Sequence, residues 1–215
     1  MNRIKYLVVL SLGMISLGRS AVLQTPTFEN PVNVAPRASI TASSVYQDEY
    51  AQFGTQKLVD GLTDSDYANE WLAQGTLEGS GMRGALPAWL KFDLYADYIL
   101  SGVSLFNTMN APFNDTGTKD FNIQVSSDGV NYSASVITGQ LVWQNTSYQD
   151  YQFDNVVSAR YVQINLNSAY VSTSSGLYDR VGLKEVKIIA TGVPEPSCLS
   201  LLALGGVVVA LRRRR

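Results

Sequence analysis

Hydrophobic and polar residues alternate through much of the middle of the chain. In "AWLKFDLYA" Leu90, Phe92 and Leu94 fall on one face, with Trp89, Lys91 and Asp93 on the other. That two-residue period is the mark of a half-buried strand. "SGVSLFN" sets Val103 and Leu105 together, and "DFNIQVSS" does the same for Phe121, Ile123 and Val125 before the Asp128-Gly129 pair. Asp-Gly is a hairpin-type turn. "ARYVQINLN" aligns Val162, Ile164 and Leu166, and "LKEVKIIA" closes the patterned region. Short alternating segments separated by turn residues predict an all-β sandwich or barrel. Residues 44 to 87 are turn-rich and aromatic with little strand pattern, and long loops of that kind often carry function on a rigid scaffold.

The two ends read differently. "MNRIKYLVVLSLGMISLGRSA" opens with Arg3 and Lys5, continues through an apolar stretch from Tyr6 to Leu17 and ends in small residues. That is the order of a secretory signal peptide, expected over residues 1–20, with a linker over 21–36. At the other end, the uncharged run from Ser197 to Leu211 reaches only about 22 Å as a helix. A hydrocarbon core is about 30 Å thick. The four arginines Arg212, Arg213, Arg214 and Arg215 can snorkel to lengthen the span, and clustered Arg holds that end in the cytoplasm. Before the run stand Val193, Pro194, Glu195 and Pro196. This Val-Pro-Glu-Pro box, short hydrophobic span and terminal arginine cluster resemble the PEP-CTERM sorting signal of certain Gram-negative bacteria. The resemblance covers residues 193–215. It implies transient membrane insertion through a C-terminal transmembrane helix, recognition by an exosortase-type membrane protease, and delivery to the cell surface or extracellular matrix.

Between the ends lies a stretch the size of one domain, long enough to bury a full core. The chain has 16 basic and 18 acidic residues, and four of the basic ones belong to the tail. The remainder is acidic, which argues against nucleic acid as a partner. The only cysteine, Cys198, lies in the tail, so no disulfide closes the domain.

Five segments of the middle, "KLVDGLTDSDYANEW", "LKFDL", "FNIQVSSDGVNY", "ARYVQINL" and "VGLKEVKI", resemble in order and spacing the discoidin, or coagulation factor 5/8 type C, domain. That family includes the family 32 carbohydrate-binding modules. The resemblance spans residues 37–190 and implies an eight-stranded jelly-roll sandwich that binds through loops at one end. The disulfide of animal members is absent, and Asn107 stands near where many members place an arginine.

No histidine occurs anywhere. This removes the commonest general base and metal ligand, any Ser-His-Asp triad and any His-based zinc site. Asp60, Asp64, Asp66 and Glu70 share one polar loop, where paired carboxylates could act on sugars or form a solvated acidic surface. Non-enzymatic binding is the expectation. The same loop suits Ca²⁺, which takes several oxygen ligands in a flexible cage. The family resemblance implies a structural Ca²⁺ site from Asp60, the Lys57 carbonyl, Asn69 before Trp71, and Glu185. The alternative is that Asp60-Gly61 only turns the chain and Glu185 is a surface charge.

For a sugar, exposed rings pack on C–H faces while polar neighbours bind hydroxyls. Tyr46, Tyr50, Phe53, Phe113 and Tyr178 fall in expected loops, with Arg83, Asn107 and Asn110 as polar candidates, whereas Trp71 and Trp89 read as structural. Together these readings describe a secreted protein that binds an extracellular polysaccharide or other glycan. The alternative is a structural or adhesion protein of the envelope or biofilm that contacts other proteins.

Overall fold

In the computed structural model the described residues are 27–47, 52–78, 81–84, 86–108, 117–170 and 180–192. The signal segment, the Val-Pro-Glu-Pro box, the apolar run and the arginine cluster lie outside them. Ten strands follow in order: β1 Thr27–Asn33, β2 Ser39–Ala42, β3 Trp71–Leu72, β4 Gly75–Glu78, β5 Gly81–Gly84, β6 Ala88–Asn107, β7 Asp120–Ser126, β8 Ile137–Gln140, β9 Gln149–Leu166 and β10 Gly182–Gly192. Short 3₁₀ helices at Ala35–Arg37 and Thr55–Val59 are the only helices among the described residues. None there is long and apolar enough to cross a membrane.

Eight strands form one antiparallel sheet in the order β1-β10-β6-β9-β7-β8, with β2 added on β6 and β3 on β10, while β4 and β5 pair separately. The expected jelly-roll sandwich is thus made from a sheet that curls over itself. The curl is located in β6 and β9. Residues from Ala88 to Asp93 pair with Leu166 to Tyr161, and then the register breaks before Tyr98 meets Ala159. At that break Tyr95 adopts φ 63°, a conformation uncommon for a residue with a side chain. Asp93 Oδ1 accepts the Tyr95 N–H at 2.8 Å and so holds the bend locally. Arg160 on β9 grips the same carboxylate with Nε at 2.7 Å and Nη2 at 2.8 Å.

The bend creates two layers. The first half of β6 and all of β7 lie with β2, β8 and the second half of β9, and the second half of β6 lies with β1, β10 and the first half of β9. The alternation read from the sequence points inward as expected. Leu90, Phe92, Val103, Leu105, Phe121, Ile123, Val162, Ile164 and Leu166 all enter one buried cluster, joined from β10 by Val186 and Ile188. Burial of such side chains is worth about 1.5–3 kcal/mol each. The chain does turn at Asp128-Gly129, where Asp128 Oδ1 accepts the N–H groups of Val130 and Asn131, each at 2.8 Å. β8 begins only at Ile137, however, so the pair is not the two-residue hairpin connection expected.

Residues 27–33, expected within a linker, instead form β1, which runs antiparallel to β10 from Thr27 opposite Gly192 to Asn33 opposite Ile189. The period-two signal there is broken by Pro31, which an edge strand tolerates because its outer side needs no ladder hydrogen bond.

Because β6 and β9 both turn over, their two ends return to the same end of the sandwich. Ala88, Asn107, Gln149 and Leu166 gather there with the start of β7 and β10, opposite the chain's entry and exit at β1 and the close of β10.

Candidate functional site

The loop end is stitched together by Asn107, at the last position of β6. Its Nδ2 donates to the Thr118 carbonyl at 2.9 Å and to the Val142 carbonyl at 3.2 Å. Its Oδ1 accepts the N–H groups of Thr108 and Thr118, each at 3.0 Å. Thr118 in turn donates its hydroxyl to the Gly182 carbonyl at 2.8 Å. One fully buried amide therefore ties three chain segments with all its hydrogen-bonding capacity used. This corrects the expectation of a ligand contact: Asn107 holds the site's frame and has nothing left to offer a ligand.

Phe53 is corrected in the same way. It is 2% exposed and packs between Tyr46, at 5.4 Å between ring centroids, and Tyr67, at 6.1 Å. Tyr46 is half-buried, donates its backbone N–H to the Leu72 carbonyl at 2.9 Å and lies under the Arg180 guanidinium at 4.2 Å. Arg83 is in β5, its backbone opposite Thr76 of β4. Tyr50, Asn110, Phe113 and Tyr178 lie outside the described residues. Trp71 is fully buried and donates its indole N–H to the Ser44 carbonyl at 3.2 Å, and Trp89 stands half-buried on the outer face beside Lys91.

The fold brings together at this end two residues that no local sequence pattern marks. Trp143, between β8 and β9, and Tyr170, after β9, lie parallel with centroids 5.4 Å apart and planes 6° apart. The Tyr170 hydroxyl donates to the Leu141 carbonyl at 2.7 Å, which fixes the ring, and Lys119 Nζ stands 6.0 Å from it. Both rings are half-buried, so the stack keeps aromatic surface at the loop end. A partly exposed aromatic surface with a cation beside it can pack against the C–H face of a sugar and still reach its oxygens.

A second cluster lies where the loop after Val59 meets β10. Asp60 Oδ1 accepts the Leu62 N–H at 2.9 Å, and Gly61, with φ 82°, turns the backbone so that its N–H donates to Glu185 Oε1 at 2.7 Å. The Tyr148 hydroxyl reaches Glu185 Oε2 at 3.5 Å. Glu185 is 3% exposed and is not the surface charge of the alternative reading. Burial pushes its carboxyl up to about 7, the Asp60 carboxyl adds to the rise, and the Gly61 N–H and Tyr148 hydroxyl oppose it. Two adjoining carboxyl groups, one of them reluctant to ionise, form a place that an oxygen-loving cation would relieve. Asn69 is turned elsewhere: its Oδ1 accepts Lys57 Nζ at 3.1 Å, and its Nδ2 donates to Asp64 Oδ2 at 3.1 Å. Of the four expected ligands, the two carboxylates come together, the Lys57 carbonyl lies on the same loop, and the Asn69 side chain points away. No group of three His, Cys, Asp or Glu side chains suited to a metal occurs among the described residues.

The rest of that acidic loop is structural. Asp64 and Asp66 each accept the N–H two residues on, at 3.0 and 2.9 Å. Glu70 is fully buried, contrary to a solvated surface. Lys184, also buried, sends its ammonium from β10 to the Asp66 carbonyl at 2.7 Å and closes the loop with its own positive charge.

The family model for the F5/8 type C domain matches residues 39–181. Among solved structures, a family 32 carbohydrate-binding module of a family 31 glycoside hydrolase from Clostridium perfringens is 18% identical. The match covers 75% of this chain and 94% of that one, with a TM-score of 0.56. A fucolectin from striped bass (Morone saxatilis) serum is 19% identical over 75% of this chain and 49% of that one, with a TM-score of 0.55. A further family 32 module from Clostridium perfringens, in complex with GalNAc-β-1,3-galactose, is 16% identical over 74% and 99%, with a TM-score of 0.53. At these identities the likeness is one of fold. No curated protein matches the chain.

Proposed function

The chain belongs to the F5/8 type C domain family, and from that premise we propose that it is a non-enzymatic carbohydrate-binding protein holding a glycan at the loop end of its sandwich. The observation that carries this reading is the half-buried Trp143–Tyr170 stack with Lys119 beside it. It sits on the frame tied by Asn107. Family 32 modules and a fucolectin among the structures of like fold support the ligand class. A single such site binds weakly, and useful avidity comes from repeated display on a surface. A glycan array carrying neutral and acidic bacterial and plant glycans tests the proposal. Retention of a defined glycan class supports it; no retention on any would turn the reading toward a protein that contacts other proteins.

Calcium is proposed as a structural ion held by Asp60 and Glu185 with the Lys57 carbonyl. The Asn69 amide would join only after leaving Lys57. When bound, the ion would neutralise the paired carboxylates and clip the loop to β10.

Export and sorting are proposed from the two ends of the chain. The N-terminal signal directs secretion, and the box at 193–196 with Arg212 to Arg215 engages an exosortase-type protease at the envelope of a Gram-negative bacterium. Intact mass of surface-released protein tests this: both termini should be missing, and a released form that still ends in Arg215 would contradict it.

A further inference from the structure

We propose that a groove on the outer face of the β1–β10–β6–β9 layer is a second binding site, for a neutral sugar residue, separate from the loop end. The groove has a volume of about 280 Å³ and is walled by Pro31 and Ile189 on one side and by Asp150 and Gln152 on the other. Ser101, Gly102 and Ser104 lie between them.

The dent arises from the strand register. Against β9, pairing jumps from Leu100 opposite Val157 to Gly102 opposite Gln152, so residues 153–156 are left out of the ladder. Against β10, the register also shifts, between Ile189 opposite Gly102 and Ala190 opposite Leu100. The two irregularities flank Ser101 and interrupt the pleat on both sides. At Gly102 a Cβ would stand 2.4 Å from the Tyr151 carbonyl oxygen, so only glycine fits there and the floor is bare at that position.

The lining suits a pyranose. Asp150 offers two acceptors, and Gln152 offers a donor and an acceptor. Both are exposed, and neither side chain has a hydrogen-bond partner among the described residues. Vicinal hydroxyls, each donor and acceptor at once, complement that pair, while Pro31 and Ile189 present an apolar wall to ring C–H groups. The charge selects against acidic sugars. Asp150 is the only carboxylate in the lining, which holds no lysine or arginine. Lys187 stands in the same cross-strand row as Ser104 and Asp150, but its ammonium is drawn over the Tyr148 ring at 3.6 Å. Gly102 precedes Asn107 by five positions, which places the groove about 16 Å down the strand from the loop end. A polysaccharide long enough to engage both sites would gain avidity within one domain.

The test is affinity electrophoresis of the full chain in gels containing a soluble neutral galactan or glucomannan. Four proteins are run: wild type, Asp150→Ala/Gln152→Ala, Trp143→Ala and the triple variant. The groove variant should bind about tenfold more weakly, as expected for loss of two hydrogen bonds, with its melting temperature unchanged. Residual retardation of Trp143→Ala that disappears in the triple variant supports the groove. If Trp143→Ala migrates like wild type while Asp150→Ala/Gln152→Ala does not bind, the groove stands and the loop-end site falls. If Asp150→Ala/Gln152→Ala migrates like wild type, or Trp143→Ala alone abolishes retardation, the groove proposal is overturned and the loop-end reading survives. Wild type that is never retarded overturns the groove as well. Ser104→Leu, which fills the groove without touching the loop end, should reproduce the double variant.

Discussion

The side chain of Asn107 and the backbone of Thr118 exchange two hydrogen bonds, Nδ2 donating to the carbonyl at 2.9 Å and Oδ1 accepting the N–H at 3.0 Å. An amide side chain here mimics a strand partner at the point where β6 ends, and the loops of the candidate site inherit their positions from it. Replacing it with the similarly sized Asn107→Leu leaves the Thr118, Thr108 and Val142 backbone groups without these partners. Buried unsatisfied groups cost about 1–3 kcal/mol each, partly recovered by water, so a loss of roughly 2–4 kcal/mol is expected. For a domain of this size that lowers the melting temperature by roughly 5–15 °C. Calorimetry checks it; an unchanged midpoint would mean that Asn107 does not hold the frame.

Calcium should act on stability through the Asp60–Glu185 pair, whose members are far apart in the chain. An ion that binds the folded state alone stabilises it by about 2.7 kcal/mol at a hundredfold excess over Kd. EDTA should therefore lower the melting temperature by roughly 5–10 °C, and Ca²⁺ should restore it. Mg²⁺ should restore it poorly, because its octahedral shell suits such a site badly. Asp60→Ala should melt low and ignore both reagents. A wild-type protein confirmed free of metal whose melting does not respond to Ca²⁺ would leave Asp60 as a turn residue and Glu185 as a buried acid.

The bend in β6 gives an acid-side prediction. The Arg160 guanidinium beside Asp93 holds its carboxyl below the usual carboxylate range, with the Tyr95 N–H assisting and burial opposing. The unfolded chain therefore takes up this proton at a higher pH than the folded protein does. The stabilisation is present above the unfolded value of about 4 and is lost as pH falls through the lower folded value. The pair is partly exposed, at 36% for Arg160 and 24% for Asp93, so solvent screening keeps its contribution small. In urea titrations Arg160→Leu should be less stable than wild type at pH 6, and the gap should close below about pH 3. An equal gap at both pH values would assign the loss to packing.

What was legible in the sequence was whatever depends on nearest neighbours in the chain. Leu90, Phe92, Phe121, Ile123, Val162 and Ile164 announced their faces through a period of two, and all are buried in one core. The continuity of β6 from Ala88 to Asn107 was not legible, because the bend at Tyr95 breaks the period and "AWLKFDLYA" and "SGVSLFN" read as separate strands. Nor was the fate of polar residues carried inside by tertiary contacts. Asn107 and Lys184 look like loop and surface residues until their partners, Thr118 and the Asp66 carbonyl, arrive from elsewhere. The Trp143–Tyr170 stack joins residues on either side of the whole of β9, and no local pattern links them. Phe53 misled for the converse reason: an aromatic in a turn-rich segment can cover its own loop, and here it packs under Tyr46 and Tyr67.

The central claim is tested most directly by isothermal titration of the full chain with a soluble glycan of the class retained on the array, wild type and Trp143→Ala side by side. Wild type should bind weakly, with a dissociation constant on the order of 0.1–1 mM. Loss of the indole should weaken binding by about tenfold or more, because one well-packed aromatic contact on a sugar face is worth about that much. The Asn107 frame and the Tyr170–Leu141 hydrogen bond should keep Trp143→Ala folded, with a midpoint within a few degrees of wild type. Equal affinity in the two proteins would contradict a glycan site at the Trp143–Tyr170 stack.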